Sequence, residues 1–276
     1  MKNLFFLILT SLSLNAFSQS YIILENGVTL TSDKLGFVYD FGNYAIPQKI
    51  TLKGGNYFVE EGGILATIDQ DGNLYRKYEA IPAQLKGKGM NYFLGANGDL
   101  FIIDRTGIVN LKNDPKFTKA VNFGGNYFTV MADEANKILD LYTVTADGNF
   151  VKSDLSFKAS EIVSFGGNYF MSNRGIIHTV SSDGVITPNP GARVGVLVKK
   201  GGNYFVDSAG MIFTVSQNGT LNFPAIPTSL FVNAITKMGT TYFIDRESRL
   251  YTVDEAGQIL ERVQGHDIRT ARVISL

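Results

Sequence analysis

The sequence predicts an all-β protein in which seven small antiparallel sheets, of four strands each, form a ring. Three observations support this fold class. A repeat of about 35 residues fills the chain after its N-terminal segment, each copy contains four short β-prone runs, and each copy is apolar on both faces. Glycine is abundant, at 29 residues, as expected for many tight turns.

The first element of the repeat is the string Gly-Gly-Asn-Tyr-Phe. It begins at Gly54, Gly124, Gly166 and Gly201, close variants begin at Gly89 and Gly239, and Ser20-Tyr21-Ile22 is a degenerate copy. The tyrosines of the seven copies are Tyr21, Tyr57, Tyr92, Tyr127, Tyr169, Tyr204 and Tyr242. Their regular spacing sets the register of the repeat.

The second element is a glycine that follows a short polar residue by three positions. The glycines are Gly36, Gly72, Gly107, Gly148, Gly184, Gly219 and Gly257. The polar residues are Asp33, Asp69, Asp104, Thr145, Ser181, Ser216 and Asp254. Because the glycine and the polar residue before it occur in all seven copies, the repeat covers the chain from the end of its leader to its last residues.

One copy shows how four strands arise. Its runs are Lys49-Ile50-Thr51-Leu52-Lys53, Asn56-Tyr57-Phe58-Val59, Ile64 to Ile68, and Leu74 to Tyr78. Gly54-Gly55 permits a tight reversal after the first run. Asp71-Gly72 is a hairpin signal, because glycine adopts positive φ without a Cβ penalty.

A sheet that is apolar on both faces must pack on both sides, and a ring of sheets achieves this while leaving only short edges. A linear solenoid would need polar end caps, and none is recognisable. Arg272 to Leu276 aligns with a first strand and Tyr21 with a second, so we expect the C-terminal strand to complete the N-terminal sheet and close the ring. We expect no proline inside a strand, since all seven fall between a fourth strand and the next first strand: Pro47, Pro82, Pro115, Pro188, Pro190, Pro224 and Pro227.

This pattern resembles the β-propeller superfamily, which implies a seven-bladed β-propeller. The overlap of the two chain ends is similar to the closure of Trp-Asp-repeat propellers. The chain contains no Trp, however, so neither that dipeptide nor a tryptophan docking motif is present. The resemblance is one of architecture, and no family's functional residues can be carried over.

The N-terminus predicts export, with residues 1–18 as signal peptide and 19–276 as propeller. Lys2 precedes a mostly apolar run from Leu4 to Leu14, and Ala16-Phe17-Ser18 fits the cleavage rule, with Ser18-Gln19-Ser20 as second choice. A buried first strand is the alternative interpretation. Without cysteine there is no lipid attachment at the cleavage point, and no run is long enough for a membrane span. We therefore expect a periplasmic or secreted protein.

Composition and motifs disfavour several classes of function. The 25 basic residues balance 25 acidic ones, which disfavours nucleic-acid binding. Neither thiolates nor paired histidines are available, so we expect no metal and no cofactor. The Asp69-Gln70-Asp71-Gly72 turn has a calcium-binding alternative, but a hairpin is favoured. His178 falls in a column of large packing residues, and His266 falls in the last connection.

Two sets of residues are candidates for binding. Propeller ligands commonly enter where the turns between second and third strands meet the connections between blades, a property that the resemblance implies. There we expect binding at Glu60, Glu61, Asn173, Arg174, Asp207, Asp245 and Arg246, beside the longer turn from Met131 to Lys137. A second set begins the first strands and should gather near one channel mouth, around an anionic ligand or as a solvated rim: Lys49, Lys119, Glu161 and Arg272.

These features favour a non-catalytic binding or scaffold protein outside the cytoplasm. A protein partner is preferred over a glycan, because sugar sites commonly stack on Trp, although Tyr could substitute. We expect a monomer. The alternatives are a lectin-like propeller and an exported hydrolase or lyase, the latter based on Glu161.

Overall fold

The computed structural model describes residues 20–79, 81–228 and 230–262, and it confirms the predicted architecture. Seven antiparallel sheets are arranged in a ring, and in six of them the strands follow chain order outward from a first strand beside the axis. Six of them contain four strands within the described residues, and the first contains three. The C-terminal strand expected at Arg272 to Leu276 lies outside the described residues.

The strands of blades 1 to 4 follow the repeat. Blade 1 comprises β1 Ser20–Ile23, β2 Val28–Ser32 and β3 Val38–Asn43. Blade 2 comprises β4 Ile50–Lys53, β5 Tyr57–Glu60, β6 Ile64–Ile68 and β7 Leu74–Tyr78. Blade 3 comprises β8 Leu85–Lys88, β9 Tyr92–Gly95, β10 Asp99–Ile103 and β11 Val109–Asn113. Blade 4 comprises β12 Ala120–Phe123, β13 Tyr127–Asp133, β14 Ile138–Val144 and β15 Phe150–Lys158.

The remaining three blades have the same order. Blade 5 comprises β16 Ile162–Phe165, β17 Tyr169–Ser172, β18 Ile177–Val180 and β19 Ile186–Asn189. Blade 6 comprises β20 Leu197–Lys200, β21 Tyr204–Asp207, β22 Ile212–Val215 and β23 Leu221–Asn222. Blade 7 comprises β24 Ile235–Met238, β25 Tyr242–Asp245, β26 Leu250–Val253 and β27 Ile259–Arg262.

Helical structure in the described part of the chain is confined to short 3₁₀ turns ahead of four first strands. They are Pro47–Lys49, Pro115–Lys119, Ala159–Glu161 and Val232–Ala234. None of the helices described there has the length and apolarity needed to cross a membrane.

The turns between third and fourth strands hold the ring together. In each, a backbone N–H donates to a carbonyl in the next blade, at 2.8 to 3.0 Å, and Glu255 donates to Lys34 to join blade 7 to blade 1. The Oγ atoms of Ser20 and Thr241 lie 2.7 Å apart across the same junction. The successive residues of this circle are Lys34, Gln70, Arg105, Ala146, Ser182, Gln217 and Glu255. The seven blades are therefore closed into a circle by bonds between described residues.

The tyrosine column forms a second link between blades. Six tyrosine hydroxyls each donate to the backbone carbonyl of the next tyrosine in the column, at 2.6 to 3.1 Å. Each of these six rings also contacts the phenylalanine of the next blade, with centroids 4.7 to 5.6 Å apart. One side chain thus satisfies a buried hydroxyl and fills the space between two sheets.

The two sets of repeated glycines are required for different physical reasons. The seven glycines between third and fourth strands have φ from +76° to +84°, which confirms the hairpin prediction. The Gly-Gly pairs are required because neighbouring atoms leave no room for a Cβ at these positions. A Cβ on Gly54 would lie 2.0 Å from the Tyr57 ring, and one on Gly167 would lie 1.8 Å from the Gly202 carbonyl oxygen.

One proline departs from the prediction. Pro188 lies inside β19, opposite His178, and not in the connection that follows. A fourth strand is the outer edge of its sheet, where a missing N–H costs no ladder bond. Proline is therefore tolerated at this position.

Candidate functional site

Two groups of sequence-predicted residues meet on one face of the ring. The connections that lead into each blade contact the turn between its second and third strands. The Glu61 N–H donates to the Lys49 carbonyl at 2.8 Å, and the Asn173 N–H donates to the Glu161 carbonyl at 2.7 Å. We call these connections and turns the loop face.

Glu60 is one of three expected binding carboxylates that the structure buries. Its side chain is 1% exposed. Oε1 accepts the Ile46 N–H at 2.8 Å, and Oε2 pairs with the Arg76 guanidinium. Glu60 therefore fixes the connection into blade 2, and its carboxylate is not part of the accessible surface.

Asp207 and Asp245 are buried in the same way, at 3% and 1% exposure. Asp207 accepts backbone N–H groups from Ala209 and Met211 at 3.0 Å each, and from Gly195 at 3.0 Å. Asp245 accepts the Arg249 N–H at 2.8 Å and its Nε–H at 2.7 Å. The carboxylate oxygens of Asp207 and Asp245 therefore hold the turns in shape, and like that of Glu60 they are not part of the accessible surface.

The accessible part of the predicted set consists of Glu61, Asn173, Arg174 and Arg246, which are all exposed. These four side chains come from blades 2, 5 and 7. They therefore spread over the loop face without converging on one point.

The predicted channel-mouth residues lie beside these turns. The Lys119 Nζ pairs with Glu134 of its own blade at 3.5 Å. The Glu161 Oε2 accepts the Lys158 N–H at 2.8 Å and so caps a 3₁₀ turn. Lys49, Lys119 and Glu161 are not among the residues that line the axial cavity described below. Arg272 lies outside the described residues.

Blade 4 breaks the uniformity of the loop face. Its second and third strands have 7 residues each and its fourth has 9, whereas the corresponding strands of the other blades have 2 to 6. Asp133 orders the tip by accepting the N–H groups of Ala135 and Asn136 at 2.9 and 3.0 Å. The hairpin from 131 to 137 therefore extends beyond its neighbours as a structured element.

The loop face also carries the most exposed large apolar side chains of the described residues. Tyr78, at the end of β7, is 80% exposed, and Val196 and Phe231, in the connections into blades 6 and 7, are each 67% exposed. The sequence did not predict these three residues, because an apolar residue near the end of a strand can face either the core or the solvent.

His178 and Asp69 have structural roles. The His178 ring stacks on Phe170 with centroids 4.7 Å apart, and burial lowers its pKa, which fits the predicted packing role. The Asp69 Oδ1 accepts the N–H groups of Asp71 and Asn73 at 2.9 Å each, and its Oδ2 accepts the Tyr75 hydroxyl at 2.9 Å. Among the described residues, no group of three or more acidic or histidine side chains is placed to hold a metal ion.

A cavity of about 550 Å³ lies on the axis, at the end of the first strands away from the loop face. It is lined by the Gly-Gly turns and by the residue that precedes each of them. In blades 2 to 7 these preceding residues are Lys53, Lys88, Phe123, Phe165, Lys200 and Met238.

Met90 and Thr240 fill two of the second-glycine positions and close the ring of turns. Cβ atoms built on Gly125 and Gly202 would lie 2.7 Å from Met90 Cε and 2.5 Å from Met90 Sδ. The Met90 side chain therefore reaches from blade 3 to the turn of blade 6. Both Met90 and Thr240 are buried, so the converging turns fill the axis beside the cavity.

Two cavity lysines bond to the carbonyl at the equivalent position of the preceding blade. The Lys88 Nζ donates to the Lys53 carbonyl, and the Lys200 Nζ donates to the Phe165 carbonyl at 3.2 Å. Burial lowers the pKa of Lys53 and of Lys88, and the charge of Lys53 lowers the pKa of Lys88 further. The cavity thus has concentrated positive charge.

Comparison with known proteins adds no functional assignment. The sequence matches no protein-family model and no curated protein. Among solved structures, the chain is similar to a streptogramin B lyase (16% identity over 91% of this chain and 96% of that one, TM-score 0.35). It is also similar to BamB from Moraxella catarrhalis (15% identity, 90% and 80% covered, TM-score 0.26) and to YCF48 bound to a D1 peptide (11% identity, 91% and 95% covered, TM-score 0.32). At these TM-scores the similarities support no statement about what this chain binds or catalyses.

Proposed function

We propose that this chain is an exported, non-catalytic binding protein that holds a protein partner on its loop face. The observation that carries the proposal is the position of Tyr78, Val196 and Phe231. These three apolar side chains are the most exposed of their kind in the described residues, and all lie on that face. Exposed aromatic and aliphatic side chains within a polar rim are typical of protein interfaces.

The polar surroundings support a macromolecular partner. Glu61, Glu134, Arg174 and Arg246 are exposed on blades 2, 4, 5 and 7, so charges of both signs surround the apolar side chains. The ordered hairpin of blade 4 adds a projecting element beside them. A broad surface of mixed charge suits a folded partner better than a small ligand, which is commonly bound in a concave pocket.

Export is part of this proposal and is supported by the N-terminal sequence. Lys2 and the apolar run from Leu4 to Leu14 have the order of a secretory signal.

The test is affinity capture from an envelope extract of the native cell. The loop-face variant combines Tyr78→Ser, Val196→Ser and Phe231→Ser, which change exposed side chains and should leave the fold intact. The control variant combines Phe37→Ser, Ile108→Ser and Val185→Ser, which remove exposed apolar side chains from the turns between third and fourth strands.

We expect one protein to be recovered by the wild type and by the control, and to be reduced at least tenfold with the loop-face variant. Truncation of an aromatic anchor at an interface commonly costs more than about 1 kcal/mol, and a total loss of about 1.4 kcal/mol lowers affinity tenfold. Recovery that is equal for all three proteins, or that depends on the control positions, would contradict the proposal.

A further inference from the structure

The first strands of the ring are strongly basic, although the chain as a whole is neutral. Strands β4, β8, β12, β16, β20 and β24 together contain six lysines and neither Asp nor Glu. The whole chain has 25 basic and 25 acidic residues. Positive charge is therefore concentrated around the axis, where like charges repel one another.

The charge occupies two sectors that are separated by an apolar one. The lysines come from blades 2 and 3 and from blades 6 and 7: Lys53, Lys86, Lys88, Lys199, Lys200 and Lys237. Between them, the first strands of blades 4 and 5 place Phe123 and Phe165 in the cavity wall. The wall thus offers cations on two sides and aromatic surface between them.

Three of these lysines line the cavity itself, together with the turn glycines. Lys53, Lys88 and Lys200 contribute ammonium groups, and no carboxylate belongs to the described lining. An ammonium group has three N–H donors. Lys88 uses one of them for the Lys53 carbonyl, and Lys200 uses one for the Phe165 carbonyl. Desolvation and the neighbouring charge of Lys53 both lower the pKa of Lys88, so an anion beside these two groups would be stabilised.

We propose that the axial cavity binds an amphiphilic organic anion, whose phosphate or carboxylate group lies in the positive field of Lys53, Lys88 and Lys200 and whose apolar body packs on Phe123 and Phe165. The volume of about 550 Å³ lies within the range of sites for small organic ligands. Charge-assisted bonds from lysine to an oxyanion stabilise such a complex, and a bound anion also relieves the repulsion among the lysines. This site is distinct from the loop face and independent of the function proposed for it.

The test measures binding of phenyl phosphate to the full mature chain by isothermal titration calorimetry. Benzyl alcohol, which has the ring without the charge, and inorganic phosphate, which has the charge without the ring, are the matched probes. The cavity variant combines Lys53→Gln, Lys88→Gln and Lys200→Gln. The control variant combines Lys77→Gln, Lys112→Gln and Lys152→Gln, which remove the same charge from fourth strands.

We expect phenyl phosphate to bind the wild type at least tenfold more tightly than either partial probe. The cavity variant should lose at least tenfold in affinity, and the control should change less than twofold. A second variant, Phe123→Leu with Phe165→Leu, should lower the affinity for phenyl phosphate and leave that for inorganic phosphate unchanged.

Three results would overturn the proposal. They are the absence of phenyl phosphate binding by folded wild type at 10 mM probe, equal losses in cavity and control variants, and equal affinity for phenyl phosphate and inorganic phosphate. Circular dichroism and the thermal midpoint of each variant confirm that it is folded before titration.

Discussion

The hydroxyl of Tyr92 donates a hydrogen bond of 2.6 Å to the backbone carbonyl of Tyr127, one blade further round the ring. The same ring packs against Phe128, with centroids 5.6 Å apart. Because this bond recurs from Tyr21 to Tyr204, the column joins second strands of successive blades. The tyrosines are thus required for the assembly of the ring, because phenylalanine would keep the ring contact and lose the hydrogen bond.

Tyr92→Phe should therefore lower the free energy of unfolding by about 1 to 3 kcal/mol, since it leaves a buried carbonyl with one fewer donor. The aromatic contact with Phe128 is retained. Urea unfolding monitored by fluorescence measures the change. Tyr78→Phe is the matched control, since that side chain is 80% exposed, and an equal effect of both substitutions would refute the structural role of the column.

Gly167→Ala should disrupt the axial turns, because its Cβ would lie 1.8 Å from the Gly202 carbonyl oxygen. Both contacting groups are backbone, so the strain cannot be relieved by a side-chain rotation, and we expect a loss of several kcal/mol. Gly191→Ala is the control, since nothing lies within 4 Å of its Cβ position. A Gly167→Ala protein with the wild-type thermal midpoint would show that the turns are not packed as described.

The pH dependence of stability should report the partly desolvated cavity lysines. Lys53 and Lys88 have lowered pKa values in the folded chain and return towards 10.5 on unfolding, so their charging opposes folding at pH 7. This penalty is lost as pH rises through the lowered values and is absent above 10.5. The Lys53→Gln/Lys88→Gln variant should therefore be more stable than wild type at pH 7, by a margin that shrinks towards pH 10.5.

Urea midpoints at pH 7, 8, 9 and 10 measure that margin. Lys112→Gln, on a fourth strand, should give no comparable gain at any pH. A margin that is constant across the series would mean that the two lysines are not electrostatically penalised.

The proposed export predicts that processing leaves Gln19 as the first residue of the mature chain. Ser20 is buried, and its Oγ lies 2.7 Å from Thr241 Oγ1 and 3.1 Å from Ser32 Oγ. Cleavage after Ser18 preserves these bonds, whereas cleavage after Ser20 removes them. N-terminal sequencing of the protein from the envelope fraction decides between them, and a chain that begins at Tyr21 or retains Met1 would contradict this prediction.

Much of the fold could be predicted from the sequence because its rules are local. A glycine three residues after Asp33 or Asp69 predicts a hairpin, and the recurring tyrosine sets the register. The first glycine of each Gly-Gly pair is required by the tyrosine three residues later in its own blade. The need for the second glycine could not be derived locally, because it contacts the turn of the neighbouring blade, which is distant along the chain.

The candidate sites were less predictable, because a charged residue in a turn can face solvent or bond to its own backbone. A signal was nevertheless present for Asp207. Its spacing to Gly210 repeats that of Asp33 to Gly36, a pattern in which the carboxylate caps a turn. The cavity lysines could be identified in the sequence as the residues directly before the turns at Gly54, Gly89 and Gly201, but only the ring geometry places them on the axis.

Site-specific photo-crosslinking in the native cell tests the proposed function most directly. The exposed Phe231 is replaced by p-benzoylphenylalanine, and Val185, which is 60% exposed in a turn between third and fourth strands, is the control position. We predict that position 231 crosslinks to one discrete protein and that position 185 does not. Equal crosslinking at both positions, or none at position 231 in a folded protein, would contradict a partner on the loop face.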